Sequence, residues 1–536
     1  MRVELHGRRV GGWVIARGVD APPGVTLKSI AKVTGWGPAA DVIALADWAA
    51  WRWAGQPAHF LRTASANAAV RGLPRPAPAI TAHGVDDAGA ADALAARRAV
   101  LRIPPAADVF PLVLQAARLG PALVVCASHA QERHLAARLR RSGLVVAQVP
   151  RDWAQARAGA HVVIGARAAA WAPVEGLAAV VVLDEHEAVH QEEASPTWHA
   201  RDVAIERAAW AGVPCVLTSP VPSLEALAWG RLFEPSRSAE RAGWPIVDVV
   251  DRTKEDPLRS DLYSQKLVDL VRSGKKVVCV LNRKGRAALL ACAACSELAR
   301  CETCGAAVAM GESVLTCRRC ATTRPVVCTA CGSGKLKQRR IGVTRAREDL
   351  ERLAGVPVGE VTGESDDVPF TQVLVGTEAV LRRVDTADAV AFLDLDNELL
   401  APRYRAGEEA MALVARAARI VGGKDRGRLV LQTRLPKHEV VQAALLADPA
   451  RASAAEHERR EVLRFPPVTA LAHVSGAPAA QYVEGLTGRV DVEVLGPAAD
   501  GSYLVRAADV RTLCDALDGL RRPAGRLRVA VDPARL

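Results

Sequence analysis

Short apolar runs alternate with amphipathic stretches along most of this chain. Between residues 97 and 240 the apolar runs are Ala122–Ala127, His161–Gly165, Ala179–Leu183 and Cys215–Thr218. They read as short, β-rich central strands. The stretches Gln131–Ser142 and Ala200–Ala211 between them read as helices. Strands alternating with helices predict a parallel sheet with helices on both faces. A second unit of this kind opens with Lys276–Leu281, is interrupted, and resumes with Gln372–Val375, Val390–Leu395 and Leu429–Leu431. The expected fold class is therefore α/β, with two tandem parallel-sheet lobes.

The flanks follow a different pattern. Residues 1–70 mix short alternating strands, such as Val10–Ala16, with one amphipathic helix over Asp41–Leu61. Five of the eleven tryptophans fall here: Trp13, Trp36, Trp48, Trp51 and Trp53. Aromatic side chains among arginines can stack bases; Trp48 and Trp51, three residues apart, more simply pack a helix onto its neighbours. Residues 71–96 read as a linker, since Arg71–Ala79 holds three prolines and His83–Ala96 is small and acidic. The expected order continues with lobe one at 97–240, the start of lobe two at 241–285, the interruption at 286–335 and the rest of lobe two at 336–435. A C-terminal α+β domain at 436–536 ends in the strand Arg528–Val531. No repeat with a period of 20–50 residues is visible.

The interruption has its own chemistry. Eight of the twelve cysteines form four CxxC pairs: Cys292/Cys295, Cys301/Cys304, Cys317/Cys320 and Cys328/Cys331. One CxxC pair offers two thiolates from a tight turn, and two pairs complete a tetrahedral all-thiolate site, the closed form of structural zinc. Four pairs make two sites. A disulfide knot is the alternative, and the start of the chain argues against it, because Met1–Val10 is charged and has no apolar signal segment. Cys126, Cys215, Cys279 and Cys514 lie in apolar runs and read as buried thiols.

Composition adds a partner class. The formal net charge is +11 over 536 residues. A basic chain without a membrane-length apolar run points to a polyanion, most simply nucleic acid, although a GC-rich genome yields similar Arg- and Ala-rich composition. Cytoplasmic placement is expected.

Two tandem parallel lobes suggest a nucleotide-driven motor. Leu183-Asp184-Glu185-His186-Glu187 ends a buried strand, where a carboxylate would hold Mg²⁺ and its neighbour would orient water. The phosphate cradle is missing. Nothing in the chain matches GxxxxGK[ST]. The segment in its place is Arg102-Ile103-Pro104-Pro105-Ala106-Ala107-Asp108-Val109-Phe110. Two prolines remove amide donors, no lysine is present, and Asp108 would repel phosphate.

These features together resemble the PriA family of primosomal replication-restart helicases. Asn282-Arg283-Lys284-Gly285-Arg286-Ala287, the eight cysteines and Cys331-Gly332-Ser333 are similar to its NRRGYA and zinc-module signature. His199-Ala200-Arg201-Asp202 resembles its HARD segment. Asp394-Leu395-Asp396, Pro402, Arg405 and Glu408 resemble its DxD…PxxRxxE block. Leu431-Gln432-Thr433 and Arg464-Phe465-Pro466-Pro467 resemble the stretch before its C-terminal domain. The resemblance implies RecA-like lobes. It also implies one zinc shared by Cys292, Cys295, Cys328 and Cys331 and a second by Cys301, Cys304, Cys317 and Cys320.

The chain departs from the family where ATP is handled. The P-loop is replaced by Arg102–Phe110. The GSATP motif reads Thr218-Ser219-Pro220-Val221-Pro222. QVAGRAGR falls on Ala415–Gly422, keeping Arg419 as the first arginine and placing Gly422 at the second. GTQ reads Gly376-Thr377-Glu378. Four motifs that touch ATP or couple it to motion are eroded together, so Asp184 and Glu185 read as a remnant. At the front, the resemblance starts at the second strand of the family's 3′-DNA-end-binding domain, which implies either a wrongly called start codon or an incomplete 3′-end pocket, and the winged helix expected near residues 72–96 reads as shrunken to the linker.

The expectation is a restart protein that binds forked DNA through Arg8, Arg9, Arg283, Lys284 and Arg286, with two Zn²⁺ and doubtful ATP·Mg²⁺. Primosome proteins and single-strand-binding protein are the expected partners. Two rivals stay open: an active ATP-dependent 3′–5′ helicase with an unusual nucleotide site, and a protein adaptor acting through the zinc module.

Overall fold

The computed structural model describes the chain except residues 6, 21–22, 25, 80–86, 255–261, 283–288, 312, 339–341 and 536. Two parallel sheets dominate it. The first runs in the order 231–233, 98–102, 215–219, 179–182, 122–125, 162–165, 146–148. The second runs 246–251, 428–433, 389–392, 277–280, 373–376, 358–361. Every pairing in both sheets is parallel. The central strands Ala122–Val125, Val162–Gly165, Ala179–Val182 and Cys215–Ser219 are buried along their whole length. That explains their unbroken apolar sequences, since helices cover both faces. These are two RecA-like lobes in tandem.

The eight-cysteine segment leaves lobe two as a separate projection. A two-stranded ladder, Leu290–Cys292 with Leu336–Gln338, forms its base, and the three strands 308–310, 314–317 and 323–325 form its outer sheet. A C-terminal antiparallel sheet takes the order 492–495, 503–507, 470–475, 528–531.

The N-terminal part differs from expectation in three places. The strand expected over Val10–Ala16 is Arg8–Gly11. The single helix expected over Asp41–Leu61 is two helices, Ala40–Arg52 and Pro57–Ala64. Ala54 turns left-handed at φ 45°, and Pro57 starts the second helix where its missing N–H costs nothing. Gly55 sits in that break because a Cβ would lie 3.1 Å from Pro196. Both helices pack into one core with lobe one and the C-terminal sheet, through Val42, Leu45, Trp53, Phe60 and Leu61. The stretch read as linker also ends in a helix, Ala88–Ala95, capped by the Asp87 side chain. Its Ala90, Ala93 and Leu94 are buried against lobe one. Small residues let this helix approach closely; the sequence showed them only as a low-complexity run. Among the described residues, no helix is long and apolar enough to cross a membrane.

Candidate interlobe site and metal centres

The cleft between the lobes is where a parallel-sheet motor would hold nucleotide. Strand Ala179–Val182 delivers Leu183 and Asp184 to its edge, and Asp184 takes φ 51° as the chain turns. Its backbone N–H donates to the Thr218 hydroxyl at 3.3 Å, and the Glu185 N–H donates to the Thr218 carbonyl at 3.0 Å. The replaced coupling segment therefore still fixes this strand end.

Arginines of lobe two hold the acids that follow. Arg419 forks onto Asp184, its two terminal nitrogens 2.8 and 2.6 Å from the carboxylate oxygens. The Gln131 amide adds a hydrogen bond of 2.9 Å. Burial pushes the Asp184 carboxyl up, but Arg419 outweighs it, with smaller help from His186 and Gln131, and holds it below the ordinary carboxylate range. One turn earlier on the same helix, Ala406–Val421, Arg416 forks onto Glu187. Glu187 is likewise pushed up by burial and, on balance, pulled down by Arg416. Glu185 faces the other way. It accepts from the Ser223 N–H and hydroxyl at 2.8 Å each and from Arg201 at 3.2 Å, and it is fully buried.

The turn after strand Arg98–Arg102 offers no phosphate nest. The Ile103 amide donates to the Ser219 carbonyl, that of Ala106 to Gly243, and that of Ala107 to Pro104. Pro104 and Pro105 have no N–H. Asp108 is itself forked by Arg138 at 2.8 and 2.6 Å, and this pairing is the main reason its carboxyl lies below the ordinary range. Arg102 points away from the turn, to Glu240 and Glu234. Arg419 also donates to the Pro105 carbonyl at 3.2 Å. The residues present do not fit ATP·Mg²⁺: the Ile103, Ala106 and Ala107 amides are already bonded, the two prolines offer none, the segment holds no lysine, and the Arg419 guanidinium stands between turn and carboxylate.

A second ionic contact joins the lobes further out. Arg405 forks onto Glu225 at 3.0 and 2.7 Å, and Glu408 accepts from the Leu224 N–H at 2.9 Å. Arg460, from the helix Ala450–Leu463, reaches Glu225 at 3.3 Å, Glu456 at 3.1 Å, Glu408 and the Pro466 carbonyl. It is fully buried. The DxD…PxxRxxE block thus supplies contacts between lobes. Arg416, Glu187, Glu225 and Arg460 were missed as site residues. The available signal was the spacing of Arg416 and Arg419, which puts both on one helical face.

The cysteines gather into two groups: Cys292, Cys295, Cys328 and Cys331, and Cys301, Cys304, Cys317 and Cys320. Sγ–Sγ distances across the pairs are 3.5 and 3.6 Å in the first group and 3.5 Å twice in the second. A disulfide would be ~2.05 Å. A tetrahedron with metal–sulfur bonds of ~2.3 Å has edges of about 3.8 Å. The donor sets therefore fit thiolate-bound metal. Arg319 docks the projection on lobe two, donating to the Cys304 and Ala401 carbonyls at 3.1 and 2.7 Å. Of the basic residues proposed for DNA, Arg8 and Arg9 lie exposed on the N-terminal strand, with Arg9 paired to Glu4 at 3.2 Å. Arg283, Lys284 and Arg286 lie outside the described residues.

Two linked RecA-like lobes, the second carrying a projection with two four-thiolate groups, define a helicase-fold protein with a metal-binding insertion. No family model matches the chain. Individual relatives do. The Replication restart protein PriA of Treponema pallidum is 30% identical over 429 residues, covering 70% of this chain and 65% of that protein. That of Bacillus subtilis is 26% identical, covering 67% and 50%, and that of Haemophilus influenzae 28% identical, covering 59% and 47%. The chain is similar to these PriA proteins over 59–70% of its own length. It spans about half to two thirds of the length of these relatives. Among solved structures, a DEAD box protein from Methanococcus jannaschii is 9% identical, covering 69% of this chain and 87% of that one, with a TM-score of 0.31. Yeast Dbp5 bound to RNA and ADP BeF3 is 11% identical, covering 68% and 89%, with a TM-score of 0.37.

Proposed function

We propose that this chain is a replication-restart protein that binds forked or branched DNA and supports primosome assembly without hydrolysing ATP. The observation that carries the second half is the Arg419 fork on Asp184, beside a turn whose amides at Ile103, Ala106 and Ala107 are already bonded. The first half rests on the PriA relatives and on the net charge of +11. In this reading two Zn²⁺ ions hold the projection together, where the enclosed core is too small to do so alone. Arg8, Arg9, Arg283, Lys284 and Arg286 neutralise phosphates, and fork shape supplies selectivity. Cytoplasmic residence with the nucleoid and contacts with primosome proteins and single-strand-binding protein follow from the same role.

The test is a titration with a synthetic fork and a matched duplex across salt, with an ATPase assay beside it. We expect fork binding that weakens steadily with salt, preference over duplex, and no DNA-stimulated hydrolysis. Salt-independent affinity, or equal binding to duplex, would sink the DNA half. Hydrolysis that disappears in Asp184→Ala would sink the other half and favour an active helicase.

A further inference from the structure

We propose that Arg419 and Arg416 form a built-in cationic latch that keeps the two lobes closed in the place of a nucleotide–metal complex. In a nucleotide-driven pair of lobes, ligand bridges the cleft: phosphates rest on the head turn of one lobe, the metal on its acidic strand end, and arginines of the other lobe reach across. Here the arginines reach across with no ligand between. Arg419 contacts both halves of that site at once, the Pro105 carbonyl at 3.2 Å and the Asp184 carboxylate at 2.8 and 2.6 Å.

Three further observations make this a closed arrangement and not a surface ion pair. The residues Asp184 and Glu187 are 3% and 6% exposed, so both carboxylates are shut off from water and meet guanidinium instead, although the Arg419 side chain itself keeps 41% of its surface exposed. Backbone also meets backbone at the connector between the lobes: the Lys424 N–H of lobe two donates to the Ala242 carbonyl at 3.1 Å, and the Ala106 N–H of lobe one donates to the adjoining Gly243 carbonyl at 3.1 Å. Gly423 permits the approach of Lys424, since a Cβ at Gly423 would lie 2.5 Å from the Ala242 oxygen. The outer contact of Arg405 and Arg460 with Glu225 fixes a second point, and two points remove the hinge freedom that one would leave.

The latch also explains why the acids persist without their usual task. Asp184 already carries a cation that it cannot lose by diffusion, and a divalent metal would have to displace a tethered guanidinium. The erosion of the head turn and the retention of Arg419 then belong to one change, from ligand-driven closure to constitutive closure. The inference rests on the ATP-independent part of the reading above and deepens it.

The experiment uses the full zinc-loaded chain without DNA, so a failed latch and failed fork binding are separate results. Fluorophores are placed through a noncanonical amino acid at the exposed Arg133 of lobe one and Glu348 of lobe two, which leaves every cysteine untouched. Single-molecule energy transfer then reads the interlobe distance. The wild type is expected to show one narrow population that Mg·ATP leaves unchanged. Arg416→Ala with Arg419→Ala should broaden it at least twofold, as should the gentler Asp184→Asn with Glu187→Gln, should the arginine variant fold poorly. The exchanged pair Asp184→Arg with Arg419→Asp should narrow it again. A broad wild-type distribution, a shift with Mg·ATP, or carboxamide variants as narrow as the wild type would each overturn the latch.

Discussion

Arg460 is a fully buried charge with four partners, and its removal gives a sharp test of how the parts are joined. It serves Glu225 of lobe one, Glu408 of lobe two, Glu456 of its own helix and the Pro466 carbonyl at the entry to the C-terminal sheet. Arg460→Ala leaves three carboxylates facing the space of one lost cation. Breaking a buried pair by removing one partner costs ~3–5 kcal/mol. Relief comes from neighbours, because Arg405 still holds Glu225 and Glu408, and Arg459 still holds Glu456. The cost therefore belongs near the lower end, about 3 kcal/mol. At ~2–4 °C per kcal/mol for a unit of 150–250 residues, the melting midpoint should fall by roughly 6–12 °C. Differential scanning calorimetry of the zinc-loaded chain measures this, reading the transition midpoint because several units unfold. The deficit should shrink at lower pH: burial already pushes the Glu456 carboxyl up, so without Arg460 it takes a proton readily. Adding Glu456→Gln to Arg460→Met should recover part of the loss. Arg451→Ala, at the exposed pair with Asp448, is the control and should leave the midpoint unchanged. An Arg460→Ala protein melting within about 1 °C of wild type would refute the assignment of this cluster as a structural joint.

Other consequences are simpler to state. Gly423→Ala should lower the melting midpoint, because its Cβ would press on the Ala242 carbonyl at 2.5 Å, in the connector that the Ala106 N–H of lobe one holds at Gly243; an unchanged midpoint would show that lobe two does not approach the connector there. Isothermal calorimetry with Mg·ATP should register no binding in wild type, and measurable heat would contradict the occupied site around Asp184. Cys304→Ser should reduce bound zinc from two ions per chain to one and open the outer sheet to proteolysis, and retention of both ions would refute the assigned ligand sets. Stability should fall as pH drops below about 6.5, because burial lowers the pKa of His190 and His199 and only the unfolded chain then takes those protons. The folded-state pKa values of Asp184, Glu187 and Glu225 are also depressed, so their contribution is present above about pH 5 and is lost as pH falls further, for Glu225 down to about 2. A melting midpoint flat between pH 7 and pH 5 would exclude the buried-histidine effect.

Much of this was legible along the chain. The strand Ala179–Val182 and the helix Ala200–Ala211 stand where the apolar pattern places them, because period and burial are local properties of the sequence. The helix break at Ala54 was not visible, although Gly55 and Pro57 stood beside it, because aromatic residues on both sides carry one continuous amphipathic pattern. Helix Ala88–Ala95 was hidden for the opposite reason: its buried residues are mostly alanines, which carry almost no hydrophobic contrast.

Sequence alone determined the two parallel lobes, the eight thiols in pairs and the missing phosphate cradle, since each depends on residue types at short spacing. Tertiary structure alone decided what fills the cleft. Arg416 and Glu187 are 229 residues apart, and Arg419 and Asp184 are 235 apart. Which cation meets which carboxylate is set by how two separately folded sheets face each other, and no local pattern encodes that pairing.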